Sequence, residues 1–403
     1  MYQFGLGTTK NCRKALSLYK LAAENADALA QRILGRLYYE GEITGRPDYK
    51  QASEWFHKSA NNGDSTACKY LGFMYLEGKG TNKNYKKALE WLKQTVDKGH
   101  NDTSSIIGEI YIYGDYGVDQ DFNLAETWFL KGMNENDLRS LYGMGLLCGV
   151  RNDSKQSWKK AFEWFTKGAK CNESNAQNSL GEMYQDGLGC EKNYKSAMKW
   201  YALAAENGNM NGFANIGTMY HYGCGVTINY KMALEFYKKA GDCGEALNGI
   251  GLLHQGGLGV LRNHNTAMIH FKKAAEKESS GAYNSLGDTY KYGYGTNVNL
   301  QLAFKYYTIS ANCFSQDGML NLGLMYAEGL GTRANKDLAL RWFRRAELFG
   351  NEQAKKYIHK IVSSSTQLPR IINSAANRRE SLNQAFNDAA ARIKAVRRGL
   401  GIE

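Results

Sequence analysis

A fourteen-residue phrase recurs along this chain of 403 residues, and its clearest copies are AQNSLGEMYQDGLG from Ala176 and AYNSLGDTYKYGYG from Ala282. Recurrence at a fixed period is typical of a stacked repeat array, in which each unit packs on its neighbours, and not of a globular enzyme. A glycine after the Leu or Ile position marks each copy. These glycines are spaced by 34 to 38 residues: Gly35, Gly72, Gly108, Gly143, Gly181, Gly217, Gly251, Gly287 and Gly323.

Each copy has the spacing of a helix that ends in a glycine turn. Ala67, Leu71 and Tyr75 recur every four residues and therefore form one helical stripe. Gly72, beside Leu71, leaves room for a neighbouring helix to approach closely. Gly78 suits the left-handed conformation that ends a helix, so we expect it to have positive φ. The sequence thus predicts a first helix and a turn in every copy.

A second apolar stripe follows each turn. It opens with an alanine and, three residues later, a pair of bulky residues, which predicts a second helix. The chain is therefore expected to form about nine to ten helix–turn–helix repeats of about 36 residues. The stripes are Ala52/Trp55/Phe56, Ala88/Trp91/Leu92, Ala125/Trp128/Phe129, Ala161/Trp164/Phe165, Ala197/Trp200/Tyr201, Ala233/Phe236/Tyr237, Ala267/His270/Phe271, Ala303/Tyr306/Tyr307 and Ala339/Trp342/Phe343.

The turn glycines come in pairs with one residue between them. Together with the second-helix stripe, this pairing resembles the Sel-1-like repeat family, a branch of the tetratricopeptide-type solenoids, over nearly the whole chain. The resemblance implies an all-α, right-handed superhelical solenoid. The turns around Gly41 and Gly149 depart from the pattern, since neither has the second glycine. The paired structural glycines are Gly78 and Gly80, Gly187 and Gly189, Gly223 and Gly225, Gly257 and Gly259, Gly293 and Gly295, and Gly329 and Gly331.

The domain prediction has two parts. Residues 1–362 form the solenoid, which starts in the middle of a repeat because Met1 to Gly7 match the end of a first helix and its turn. Residues 363–403 form a linker and a basic amphipathic C-terminal helix with Phe386 on its apolar stripe. Three roles for this helix stay open: a cap on the last repeat, a short coiled coil, or a tail for partners or a membrane surface.

Composition bears on the compartment and on the partners. The formal net charge of +12 could favour acidic partners, although the recurring lysine pairs suit a solvated outer face. The eight cysteines show no recurring pair per repeat, which favours a reducing, cytoplasmic compartment. The endoplasmic reticulum lumen or secretion remains possible if the N-terminus is truncated. No window approaches the roughly 18 apolar residues of a membrane span.

A row of asparagines precedes the marker glycines by two or three residues. By analogy with tetratricopeptides, the positions three before and one, four and five after the glycine are expected to be exposed on a concave groove. Side-chain amides there could bind the backbone of an extended peptide, although the row could equally reflect local helix chemistry. The predicted groove residues are Asn178, Asn215, Asn248, Asn284 and Asn321.

Other site chemistry finds little support. The paired glycines follow no strand and lack a third glycine, so they do not indicate a nucleotide-binding loop. His221, Cys224 and His254 could meet as zinc ligands, but three scattered residues are no zinc signature, and His254 occupies a position where the repeat has tyrosine. No catalytic motif is present, so the sequence predicts no enzyme, no cofactor and no metal.

The leading functional hypothesis is a non-enzymatic scaffold or adaptor that binds extended peptide segments of other proteins. The family resemblance implies roles in ubiquitin-ligase degradation complexes, in activation of fungal chitin synthase, in signalling complexes, or as secreted host-interaction proteins. The alternative is a single-stranded RNA-binding helical repeat protein, which the turn glycines argue against. An enzyme would need a catalytic domain upstream of Met1.

Overall fold

The computed structural model describes residues 12–43, 45–99, 102–114, 117–151, 155–313, 315–348 and 350–363. Within these residues every regular element is an α-helix. The chain divides into two compact units, unit 1 (Met1–Ala176) and unit 2 (Gln177–Glu403). The start of the half-repeat at Met1 to Gly7 and the predicted linker and C-terminal helix at 364–403 lie outside the described residues.

In unit 1, first and second helices alternate and pair within each repeat, as the sequence predicts. From α2 onwards, even-numbered helices are the first helices of the repeats and odd-numbered helices are the second. The helices are α1 (Cys12–Glu24), α2 (Ala28–Glu40), α3 (Tyr49–Asn61), α4 (Ser65–Glu77), α5 (Tyr85–Asp97), α6 (Ser104–Tyr113), α7 (Phe122–Asn134), α8 (Arg139–Arg151) and α9 (Lys155–Lys170).

Unit 2 continues the same alternation. Helix α10 (Ser174–Asp186) belongs to it from Gln177 onwards. The remaining helices are α11 (Tyr194–Glu206), α12 (Met210–Tyr222), α13 (Tyr230–Lys239), α14 (Gly244–Gly256), α15 (His264–Glu276), α16 (Ser280–Tyr292), α17 (Leu300–Asn312), α18 (Gln316–Glu328), α19 (Lys336–Leu348) and α20 (Glu352–Ser363).

The marker glycine is the point of closest approach within a repeat. A Cβ atom placed on Gly181 would lie 2.6 Å from the ring of Tyr201, and one on Gly217 would lie 2.7 Å from the ring of Tyr237. Both tyrosine rings are fully buried. Any side chain at these positions would push the two helices apart, so the predicted close approach is confirmed.

The repeat of α8 and α9 corrects the sequence assignment. A Cβ on Gly145, not on Gly143, would collide with the ring of Phe165 in α9. Gly143 instead faces Phe129, which belongs to the second helix of the preceding repeat. Three glycines crowd α8, and the sequence alone does not show which of them faces α9.

The paired glycines of each turn have separate roles. Gly78 ends α4 with φ of 75°, and its N–H donates to the Met74 carbonyl at 2.8 Å. A Cβ on Gly259 would press on Tyr230, the first residue of the second helix of the preceding repeat. The first glycine therefore caps a helix, and the second lets the turn rest on the neighbouring repeat. All twelve predicted turn glycines have positive φ, which confirms the prediction made for the glycines that end first helices.

The two irregular turns differ from each other. Gly41 is an ordinary cap with φ of 79°, whereas Gly149 lies inside α8, which continues to Arg151. In other repeats the capping glycine lies six residues after the marker glycine, as Gly78 lies after Gly72. Counted in the same way from Gly145, this position is Arg151. Its guanidinium binds the Glu126 carboxylate at 2.9 Å and the Phe122 carbonyl at 3.2 Å, both in α7. Arg151, at the position of the first glycine, thus makes a contact with the preceding repeat that the second glycine makes in other turns.

Eight second helices follow a fixed Asn or Asp in the described residues, a position that the sequence analysis did not single out. The Asn84 side chain accepts from the Lys87 N–H at 2.9 Å, and the Asn84 N–H donates to the Tyr75 carbonyl at 2.9 Å. One residue thus caps the second helix and ties it to the first. The same residue type recurs as Asp48, Asp121, Asn193, Asn229, Asn263, Asn299 and Asn335.

Candidate interaction face of the first helices

Successive first helices of unit 2 pack against one another, α12 on α14, α14 on α16 and α16 on α18. Tyr222 ends α12 and Asp317 lies at the start of α18, three repeats later, yet both side chains are exposed. The pKa of the Tyr222 phenol is raised, mainly by partial loss of solvent and further by the Asp317 carboxylate. We call the exposed polar side of α10, α12, α14, α16 and α18 the inner face.

The predicted asparagines form bonds between successive repeats on this face. Asn215 Nδ2 donates to Asn178 Oδ1 at 3.0 Å, and Asn321 Nδ2 donates to Asn284 Oδ1 at 2.9 Å. Ser285 Oγ donates to Asn248 Oδ1 at 2.9 Å. Each bond joins residues 37 positions apart. In every case the acceptor side chain lies three residues before the marker glycine of its helix. The donor side chain lies two residues before the marker glycine of the next first helix.

These bonds correct the expectation that the amides are exposed. Asn178 is only 6% exposed, and Asn215, Asn248, Asn284 and Asn321 are half-buried. The physical reason is that neighbouring first helices lie close enough for one amide to satisfy the next. His221, four residues after its marker glycine, is also buried rather than exposed as predicted. Its Nδ1 lies 3.3 Å from the Tyr237 hydroxyl.

The inner face carries carboxylates that the sequence analysis missed. Glu182 accepts from Asn178 Nδ2 at 2.9 Å and Asp288 accepts from the Tyr307 hydroxyl at 2.6 Å. Partial loss of hydration, together with repulsion from Asp186 and Glu245, raises the pKa of the Glu182 carboxyl to about 7, although the hydrogen bonds from Asn178 and Asn215 oppose this rise. Reduced hydration likewise raises the pKa of Asp288. Both residues directly follow their marker glycines, and this position is the sequence signal by which they could have been identified.

Unit 1 pairs several of its charges across successive repeats. Arg139 binds Glu109 through two hydrogen bonds of 2.9 and 3.0 Å, joining α8 to α6. Arg32 Nε lies 2.9 Å from the Asp64 carboxylate, and Lys69 is paired with Asp102. Loss of solvent raises the pKa of Glu109, and the Arg139 guanidinium opposes this rise. The first helices of unit 1 therefore meet through ion pairs.

The zinc hypothesis gains no geometric support. Among the described residues, no three His, Cys, Asp or Glu side chains are arranged to hold one metal ion. His254 stacks on His270 with ring centroids 6.1 Å apart, in the aromatic layer between the two helices of its repeat. In the described part of the chain, no helix is both long and apolar enough to cross a bilayer.

The family model described as Sel1 repeat matches ten segments of the chain, and each complete helix pair falls within such a segment or at its edge. No curated protein matches the chain. The matched residues are 1–27, 28–64, 65–100, 106–137, 138–173, 174–209, 214–245, 244–279, 280–313 and 316–347.

Solved structures with similar folds include bacterial and yeast proteins. A protective antigen of uropathogenic Escherichia coli strains with an SLR fold is 24% identical, with 98% of this chain and 92% of that chain covered and a TM-score of 0.45. A Sel1 repeat protein from Oxalobacter formigenes is 24% identical, with coverages of 86% and 89% and a TM-score of 0.32. Yeast Tom70 is 14% identical, with coverages of 87% and 85% and a TM-score of 0.41.

Proposed function

Because this chain belongs to the Sel1 repeat family, we propose that it is a non-enzymatic scaffold that holds extended segments of partner proteins against the inner face of unit 2. The repeat fold is typical of protein-interaction scaffolds. Such a role is common to the degradation, signalling and host-interaction assemblies that the family resemblance implies.

The observation that carries the proposal is the hydrogen-bonding capacity left on the asparagine row. Among the described residues, Asn215 Oδ1 and Asn321 Oδ1 accept no hydrogen bond, and Asn248 Nδ2 donates none. These atoms offer acceptors and a donor from successive first helices. An extended peptide backbone presents the complementary N–H and C=O groups, so the row can bind it without reading its sequence.

Exposed tyrosines extend the same face. Tyr222 and Tyr292 both lie five residues after their marker glycines and are 58% and 53% exposed. Tyrosine contributes a large contact area at low conformational cost and is enriched in protein interfaces. RNA is disfavoured here because the carboxylates of the inner face would repel its phosphates.

A site-specific photo-crosslinker tests this proposal. It should replace Tyr222 in one full-length variant and Leu261, which is 88% exposed in the loop between α14 and α15, in a matched control. We expect mass spectrometry to identify partner proteins cross-linked through position 222 and not through position 261. Identical partners at both positions, or none at position 222, would refute binding at the inner face.

A further inference from the structure

Charge is segregated between the first and second helices of unit 2 from α10 to α19. The first helices α10, α12, α14, α16 and α18 carry six carboxylates and one lysine, Lys291. The last first helix, α20, differs from them because it carries one glutamate and three lysines. The second helices α11, α13, α15, α17 and α19 carry five carboxylates and twelve lysines or arginines. A protein with a formal net charge of +12 thus has an acidic inner face. The six carboxylates are Glu182, Asp186, Glu245, Asp288, Asp317 and Glu328.

These carboxylates have no cationic partner of their own. In the described part of unit 2, none of the six lies within salt-bridge distance of a lysine or arginine. Lys192 acts on Asp186 and Lys291 acts on Asp288, but only through longer-range attraction. The carboxylates also act on one another, since Glu245 raises the pKa of Glu182 and Asp317 raises that of Asp288. An external cation would relieve this repulsion.

The acidic groups extend across several repeats rather than meeting at one point. Glu182 and Asp317 belong to α10 and α18, the outermost of five successive first helices. Between them lie the exposed rings of Tyr222 and Tyr292, which can stack on a guanidinium or ammonium group. This arrangement suits a chain with several positive charges, and it does not suit a single metal ion.

We infer that the inner face of unit 2 binds an extended cationic segment of a partner protein, with lysine or arginine side chains opposite the carboxylates and aromatic rings. The inference rests on the proposed scaffold function and adds the chemistry of the partner. Complementary charge accelerates the encounter of two proteins and excludes partners of the wrong sign.

Charge-matched variants of the full-length protein test the inference. The inner variant combines Glu182→Gln, Glu245→Gln and Asp317→Asn. The outer control combines Glu206→Gln, Glu235→Gln and Glu276→Gln, three exposed carboxylates on second helices of the same unit. Both variants change the net charge equally. The probe is a fluorescein-labelled peptide of alternating lysine and serine, and its glutamate–serine counterpart serves as the negative control.

We expect the inner variant to bind the cationic peptide about tenfold more weakly than the parent at physiological salt, because each exposed charge pair contributes a factor of a few. The outer control should change the affinity less than about twofold by the same reasoning. Circular dichroism should show that both variants remain folded. Equal weakening in both variants would overturn the inference, as would unchanged binding in the inner variant or a preference for the acidic peptide.

Two other occupants have their own outcomes. If the parent does not bind the peptide, but the full chain with Arg378, Arg379, Arg397 and Arg398 changed to Gln does, the basic C-terminal segment is the occupant. If sedimentation shows a dimer that the inner variant loses, a second copy is the occupant. Either result overturns the inference. Cross-linking through position 222 without a cationic preference would leave the scaffold function intact and refute only the partner chemistry.

Discussion

The first helices of the two units are joined by different chemistry. In unit 1 the links between repeats include ion pairs such as Arg139 with Glu109 and Arg32 with Asp64. In unit 2 the links include neutral amide bonds, between Asn215 and Asn178 and between Asn321 and Asn284. Both arrangements hold successive first helices together, but only the second leaves nearby carboxylates unpaired.

This difference separates a face that is electrostatically satisfied from one that is not. The described first helices α2, α4, α6 and α8 carry three glutamates, and each lies within salt-bridge distance of an arginine or lysine. In unit 2 the amides bond to one another and donate to Glu182 and Asp288, so these carboxylates have neutral hydrogen-bond partners and neither lies within salt-bridge distance of a lysine or arginine in the described residues. A partner with positive charges should therefore distinguish unit 2 from unit 1.

The largest effect should come from a charge placed in the core of unit 2. Leu286 is fully buried, so Leu286→Asp should cost at least about 3 kcal/mol through lost packing and a buried polar group. Hydrogen exchange should show lost protection in α16, α17 and adjacent helices, with α2 to α5 still protected. Leu286→Met is the conservative control. Uniform loss of protection in both units would show that the array unfolds as one body.

Alanine at two turn-region glycines should act with opposite sign. Gly187 has φ of 73°, and its Cβ would meet nothing closer than 3.4 Å, so Gly187→Ala should cost about 1 kcal/mol from the backbone alone. Gly149 lies within helix α8, so Gly149→Ala should stabilise by about 0.5 to 1 kcal/mol. Urea unfolding measures both changes. Destabilisation by Gly149→Ala would argue against its placement inside the helix.

Salt should distinguish the two kinds of link between repeats. Asn321→Ala should cost about 1 kcal/mol at any ionic strength, because it removes the neutral hydrogen bond to Asn284. Arg139→Gln should cost about 0.2 to 1 kcal/mol at low salt and less near 1 M salt, because it removes a partly exposed ion pair. Urea unfolding at both salt concentrations tests this. An equal salt dependence for the two variants would mean that the links do not differ as described.

The smallest effect concerns the ionisation of Glu182. Its folded-state pKa of about 7 exceeds the usual value of about 4.3, so the folded protein binds this proton more tightly than the unfolded chain does. The contribution of Glu182 to stability should therefore fall as pH rises from about 4.3 to about 7. Glu182→Gln still accepts hydrogen bonds from Asn178 and Asn215 but cannot ionise.

We thus expect Glu182→Gln to raise the melting temperature at pH 8 and to change it little at pH 4. Asp186→Asn is a useful comparison, since Asp186 lies one turn further along α10 and is hydrogen-bonded to Gln185 and attracted by Lys192. A shift for Glu182→Gln that is equal at both pH values would exclude ionisation as its cause.

The sequence is sufficient to predict features that recur in every repeat. The helix pairs, the capping glycines such as Gly78 and the buried aromatic residues such as Tyr201 all repeat with the same chemistry, so each copy supports the others. Features that depend on one repeat are harder to predict. Gly143 and Gly145 are two residues apart in one helix, and only the positions of Phe129 and Phe165 show which repeat each faces.

The candidate face illustrates the same limit. The asparagine row is visible in sequence, but its amides bond to side chains 37 residues away, which no local pattern reveals. The acidity of the inner face is hidden by the net charge of the whole chain. It appears only when the residues are divided between first and second helices, which the helix assignment makes possible.

The contacts between repeats also bear on how an array of this kind changes length. A second turn glycine rests on the helix start one repeat earlier, as Gly259 rests on Tyr230, and the amide links join positions 37 residues apart. Duplicating one whole repeat would copy both partners of every such contact, whereas inserting a part of one would separate them. Genetic gain or loss of complete repeats should therefore be tolerated, and each added repeat could bring another segment of inner face with its own charge.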